Sequence, residues 1–349
     1  MTELKKNSSE KVGVLLSNLG TPDGPTPEPV KRYLAQFLMD PAVVDIPAIA
    51  RWLLVHGIIL QTRPKKSAEA YQKIWTERGS PLLFHTLDLA ARVREQVADD
   101  IVVEVGMRYG NPSIESAVDR LISSGVSKII FIPLYPQYSL AATFSSVEEF
   151  KRVMAVKKKE IPFTVIEDFW SDEGFLDAFV AVGKPLLADH SVDHVLFSFH
   201  GIPERHVRKT DFSKGKHCLE KPECCENLVE ANSKCYRAQS FHTAYRLAGK
   251  LGLKREQYSV SFQSRLGRTP WIQPYTDIVL DELVEKGVKR LAVYCPSFVA
   301  DCLETLEEIQ MRGLEQFQEK GGEHLVLIPS LNSSREWTQA VRGMISRSL

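Results

Sequence analysis

The chain has 349 residues, 44% hydrophobic and 25% charged, a soluble globular composition long enough for about two domains. Lys plus Arg and Asp plus Glu number 44 each, so no global field points to nucleic acid. The start, MTELKKNSSEKVGVLLSNLG, lacks the apolar core and cleavage site of a signal peptide, and no segment reaches the ~18–20 apolar residues of a membrane span, so a cytoplasmic location is expected.

In chain order, the first predicted strand is VGVLLS (12–17), and EPVKRYLAQFLMD follows as an amphipathic helix with Val30, Tyr33, Leu34, Phe37 and Leu38 on one face. Residues 46–66, IPAIARWLLVHGIILQTRPKK, form an apolar stretch broken by Arg51 and His56 and followed by Arg63, Lys65 and Lys66. It reads either as a buried core helix or as an amphiphilic lip on a membrane surface, its basic end among lipid headgroups. The strands IVVEVGM (101–107), KIIFIPLY (128–135) and FTVIED (163–168) complete a first set of four. HVLFSFH (194–200), YSVSFQS (258–264), RLAVYC (290–295) and HLVLIPS (324–330) make a second. Strands alternating with helices predict an α/β protein of two similar doubly wound halves, each with a four-stranded parallel sheet, meeting near residues 170–190.

In open parallel sheets, ligands bind outside the carboxyl ends of the strands. No GxGxxG or GxxxxGK[ST] stands at those turns, which argues against dinucleotide and nucleoside triphosphate chemistry. His200 does stand at one, and the following Gly-Ile-Pro forces a turn that leaves its imidazole at the strand edge, facing the cleft. After RLAVYC, the residues Asp301, Glu304 and Glu308 are spaced i, i+3 and i+7, one carboxylate stripe if the segment is helical. Such a row facing His200 could guide a hard cation inward or carry protons outward, although acidic residues also favour a helix N-terminus for dipole reasons alone.

The motifs MRYGNPSI, YPQYSLAAT, SFHGIPERH, FQSRLGRTPWIQPYT and CPSFVADCLETLEE resemble the ferrochelatase family, which inserts ferrous iron into a porphyrin, from about Val12 to the end of the chain. The resemblance implies a class II chelatase fold, two Rossmann-like domains with a porphyrin cleft between them. The expected division is an N-terminal domain at 1–175 carrying the lip, a C-terminal domain at 176–322, and a strand and helix at 323–349 that pack back on the first domain. By resemblance, His200 is the active-site histidine, Glu304 its partner at the substrate iron, and Asp301 and Glu308 continue the acidic row. Arg63, Lys66 and Ser80 fall where the family holds the porphyrin propionates. Arg108, Tyr109, Tyr138, Trp271 and Phe298 fall at or near the cleft wall. The expected substrates are Fe²⁺ and protoporphyrin IX, with two protons released in haem biosynthesis. Coproporphyrin III, or another tetrapyrrole and metal, is the alternative, and a haem or metal carrier the non-enzymatic one. The family match favours peripheral membrane contact through 46–66 at the inner face of the cytoplasmic membrane and leaves a homodimer open. Two positions depart from the common pattern: Cys302 stands where many members have a second histidine, and Leu19 where methionine or tyrosine is frequent.

Four of the six cysteines, Cys218, Cys224, Cys225 and Cys235, crowd into an insertion at 211–235. Disulfides, zinc and an iron–sulfur cluster are the candidates. A reducing compartment disfavours the first, and the spacing C-x5-C-C-x9-C lacks the C-x₂₋₄-C pairs usual for the second. Some bacterial ferrochelatases carry an internal cysteine insertion that binds a [2Fe–2S] cluster, and the resemblance implies the same cofactor here.

Overall fold

A computed structural model describes residues 10–157, 160–265, 267 and 269–349. Its eight strands fall where the apolar runs predict them. They are β1 (Val12–Thr21), β2 (Ile101–Gly110), β3 (Lys128–Pro133), β4 (Phe163–Val165), β5 (His194–His200), β6 (Tyr258–Gln263), β7 (Arg290–Tyr294) and β8 (His324–Leu327). They form two all-parallel sheets of identical topology, ordered β2-β1-β3-β4 and β6-β5-β7-β8. The central strands are buried on both faces, which is why they read as continuous apolar runs rather than alternating ones.

One apolar core joins the halves at the back of the molecule. It contains Val14 and Leu16 of β1, Val195 and Phe197 of β5, Phe175 and Phe179 of helix Glu173–Asp189, and the fully buried Trp337. The C-terminal helix Arg335–Ser346 packs on helix Glu173–Asp189 and on helix Pro81–Arg94 of the first half. Gly174 lets it come close, since a Cβ there would lie 2.9 Å from that of Ala340.

The front is built differently. There, helices Ala48–Trp52 and Leu60–Ile74 are joined through a π-helical segment, Leu53–Ile59, into one rod along the first half. Val55, Leu60 and Leu38 form a small core beneath it, whereas Ile49, Trp52, Leu53 and Ile58 point outward, 78, 53, 57 and 58% exposed. The stretch 46–66 is thus anchored by one face and bare on the other. Polar contacts tie this region to the second half: Asp45 accepts from Lys209 at 2.5 Å and pairs with Arg205 at 3.6 Å, and Lys73 reaches Glu307 at 3.2 Å.

Candidate active site

The loops after β1, β2, β3, β5, β6 and β7 converge at the carboxyl edges of both sheets, where an open α/β sheet places its ligands. His200 is the last residue of β5, and its backbone N–H donates to the Ser297 hydroxyl at 3.0 Å. Its Nδ1 lies 2.5 Å from the Gly201 carbonyl oxygen. A carbonyl can only accept, so Nδ1 carries a proton, and in the neutral ring Nε2 holds the lone pair. The ring meets Phe298 edge-on, 6.1 Å between centroids. Gly201 is held to this close packing: a Cβ would come 2.7 Å from the Gln263 oxygen and 3.3 Å from the Trp271 ring.

After β7 the chain turns through residues 295–302 into a π-helical segment, Glu304–Gly313. The i→i+5 winding, often found at functional sites, keeps Glu304 and Glu308 nearly in line on one side. Glu308 accepts from the Ser264 N–H at 2.8 Å and from its hydroxyl at 2.5 Å. Burial pushes the Glu308 carboxyl up, and the neighbouring Glu304 charge adds to this, while Ser264 and then the His200 charge oppose it. Beside Glu308 lies a cavity of about 230 Å³ whose walls include Ser264, Arg265, Asp277, Arg312 and Gln316. Asp277 and Arg312 are exposed, so the cavity leads from the carboxylate toward the surface.

Asp301 departs from the expected stripe. It precedes the helix, and its carboxylate is committed to the Ser330 N–H at 3.1 Å, the Asn332 amide at 2.8 Å and the Thr305 hydroxyl at 3.1 Å. Helical spacing does not apply to a residue outside the helix, and this carboxylate pins the loop to the chain after β8. Cys302 is buried with its thiol against Glu304; burial first, then that carboxylate, keeps it protonated.

The expected porphyrin contacts divide into two groups. Arg63 and Lys66 are exposed on the front rod, without an ion-pair partner among the described residues. Trp271 and Phe298 lie against Gly201 and His200, and Tyr138 is half-buried beneath the Lys234 ammonium, 5.0 Å from its ring centroid. Arg108 and Tyr109 are committed elsewhere, because both donate to Asp40, at 2.5 and 2.8 Å, and Arg108 also donates to Ser145. Their place is in a buried brace behind the wall, and Ser80, only 3% exposed, is likewise withdrawn as the N-cap of helix Pro81–Arg94.

The ferrochelatase family model matches residues 11–349. The chain belongs to the ferrochelatase family. It is 46% identical to the ferrochelatase of Coxiella burnetii over 346 residues, covering 99% of this chain and 96% of that one. Against the ferrochelatases of Pseudomonas fluorescens and Legionella pneumophila the identities are 47 and 44%, again over nearly the whole of both chains. Among solved structures it resembles the sirohydrochlorin chelatase SirB of Bacillus subtilis subspecies spizizenii in complex with cobalt, with a TM-score of 0.55 and 11% identity over 97% of this chain and 95% of that one. That likeness establishes a shared chelatase fold.

Several contacts around His200, Glu304 and Glu308 are not legible in the sequence. Ser264 follows β6 in the QSR turn, so the strand-end rule reached it, but nothing in the sequence announces its bond to Glu308. Gln263 donates to the Glu304 carbonyl at 2.8 Å, and Tyr33 and Tyr71 lie buried near Glu304, kept protonated first by burial. Asp40, on which Arg108 and Tyr109 converge, sits in a loop with no motif to mark it.

In the cysteine insertion all four thiols are buried, free of disulfides, and in contact as a chain. Cys224 and Cys225 lie 3.7 Å apart, Cys225 meets Cys235, and Cys235 meets Cys218. N–H donors point at the sulfurs, from Leu219 to Cys224, from Ala238 to Cys235 and from Arg237 to Cys225. No three metal-ligating side chains among the described residues close on a single point. Two pairs of thiolates suffice for a binuclear cluster, and donors aimed at sulfur suit ligands that must become anionic, so these residues fit one.

Proposed function

We propose that this chain inserts Fe²⁺ into protoporphyrin IX, releasing two protons, as a step of haem biosynthesis. The observation that carries the reading is the pairing of a family match over 11–349 with a histidine at the end of β5 whose ring is felt electrostatically by Glu308, which also feels the charge of Glu304.

A free-base porphyrin carries two pyrrole protons and is nearly planar, so insertion requires bending the ring, removing both protons and stripping water from the iron. His200 Nε2 accepts a pyrrole proton at the cleft edge. Glu304 and Glu308 take protons onward, and burial holds the Glu308 carboxyl above the usual carboxylate range, which favours its holding one in passing. The cavity beside Glu308 then leads to solvent. Trp271 and Phe298 press the ring near His200, while Arg63 and Lys66 meet the propionates, so binding energy remote from the metal supports the bend. Withdrawn as they are, Arg108, Tyr109 and Ser80 contribute by bracing the wall.

The bare face of Ile49, Trp52, Leu53 and Ile58 supports peripheral contact with a membrane, from which the apolar substrate is collected. No described helix is long and apolar enough to cross one. Cys218, Cys224, Cys225 and Cys235 would hold a [2Fe–2S] cluster, which when bound supplies a rigid four-thiolate crosslink with a one-electron couple. The deciding experiment incubates the chain anaerobically with Fe²⁺ and either protoporphyrin IX or coproporphyrin III. Loss of protoporphyrin fluorescence with stoichiometric haem supports the reading; turnover of coproporphyrin alone, or no turnover by folded protein, refutes it.

A further inference from the structure

The cysteine insertion and the cleft meet at one helical turn. Helix Tyr236–Leu251 begins directly after Cys235, which is its N-cap. Tyr236 is buried with its hydroxyl beside Ser297 and the His200 backbone. Arg237 reaches both ways: Nη1 donates to the Cys225 sulfur at 3.1 Å and Nε donates to the Gln273 carbonyl at 3.2 Å. Its guanidinium lies over the Phe241 ring, 4.7 Å from the centroid, which fixes the plane of the fork.

Gln273 belongs to the loop that presents Trp271 to the cleft. Other bonds hold the same loop: Glu204 N–H on the Pro270 carbonyl at 3.0 Å, Ile272 N–H on the Ile202 carbonyl at 3.1 Å, Phe262 N–H on the Pro274 carbonyl at 2.8 Å and the Tyr275 hydroxyl on the Trp271 carbonyl at 3.2 Å. These come from the segments after β5, from β6 and from the loop itself. Arg237 is the anchor from the insertion side.

We propose that Arg237 is a positioning residue that ties the cysteine-held cluster to the porphyrin wall, so that the state of the cluster is felt at Trp271. The inference rests on the [2Fe–2S] reading above. A cationic donor at a cluster sulfur stabilises the reduced, more negative state and so raises the reduction potential. The other end of the same guanidinium holds the loop against which the porphyrin is pressed.

The test uses the full chain purified anaerobically as wild type, Arg237→Gln and Arg237→Lys. Iron and sulfide content, midpoint potential by dye-mediated titration, and separate kcat and KM for protoporphyrin IX are measured. In Arg237→Gln with iron and sulfide retained, the midpoint should move to lower potential and KM should rise about tenfold, with kcat little changed. Arg237→Lys should recover most of the potential, because the charge remains, but not the KM, because one ammonium does not serve both partners in the fork geometry. An unshifted midpoint or an unchanged KM in Arg237→Gln overturns the inference. If that variant loses its cluster, the KM of Arg237→Lys decides: raised supports the link, unchanged overturns it. Wild-type protein without iron and sulfide would overturn the cluster reading and this inference with it, whereas an intact cluster insensitive to Arg237 overturns the inference alone.

Discussion

Replacing Ser264 with glycine tests the proton route at its most specific contact. The Ser264 hydroxyl donates to Glu308 at 2.5 Å while its N–H donates to the other oxygen. Ser264 has φ 66, a left-handed conformation that glycine adopts freely, so Ser264→Gly removes the hydroxyl and leaves the backbone bond in place. A hydrogen bond to a buried charged group contributes about 1.5–3 kcal/mol, and one pKa unit corresponds to about 1.4 kcal/mol. The lost bond favoured the anion, so the carboxyl should titrate about 1–2 units higher in the variant. At a given acidic pH less Glu308 is ionised and able to accept a proton. The acidic limb of kcat against pH, followed anaerobically by the loss of protoporphyrin fluorescence, should therefore move up by about that amount, with the plateau at high pH little changed. An acidic limb that stays in place, in a variant of unchanged Tm, would remove Glu308 from the route.

Four other outcomes are expected. His200→Ala should lose at least ~10²-fold in turnover while still quenching porphyrin fluorescence on binding, and Glu304→Gln should be similarly impaired; near-normal turnover in either discards its role. Glu308 holds a proton in the folded chain at pH values where the unfolded carboxyl has lost it, so its contribution to stability falls as pH rises through that window; Glu308→Gln should raise Tm more at pH 8 than at pH 5. Replacing Ile49, Trp52 and Leu53 with serine should weaken sedimentation with anionic liposomes and leave Tm nearly unchanged, since these side chains are exposed; a large fall in Tm would make them core. Asp40→Ala should cost about 3 kcal/mol in urea unfolding, because Arg108 and the buried Tyr109 hydroxyl lose their shared acceptor; a cost below about 1 kcal/mol would mean that the brace is dispensable.

The architecture was legible because central parallel strands are buried on both faces and announce themselves as apolar runs; all eight were readable, with only their ends misplaced. The candidate site was legible to the extent that chemistry sits at strand ends, which singled out His200 directly. Asp301 shows the limit of spacing arguments, since its relation to Glu304 and Glu308 depended on a helix that begins after it. The roles of Arg108 and Tyr109 depended on Asp40, about 70 residues away in sequence and brought near only by the packing of the loop after helix Pro27–Leu38. Such long-range pairings leave no local pattern. The lip was ambiguous for a related reason: an apolar stretch does not declare which of its faces lacks a neighbour.

The uneven seam between the halves sets how the molecule can deform. At the back, Trp337 and the aromatic residues around it form a spine that cannot part without exposing a large apolar area. At the front, the edges are clasped through Asp45 with Lys209 and Arg205, and through Lys73 with Glu307. The Asp45 pairs, partly open to solvent, contribute about 0.2–1 kcal/mol each and weaken as salt screens them. Glu307, by contrast, is buried, and Leu303 and Leu306 beside it pack against the apolar cluster of Val30, Ala68, Tyr71 and Ile74. The protein is thus built like a book, stiff in its binding and loosest at the corner that Asp45 clasps. Parting at that corner carries a cost that ionic strength adjusts, while the edge that holds Glu304 and Glu308 is kept in shape by apolar packing.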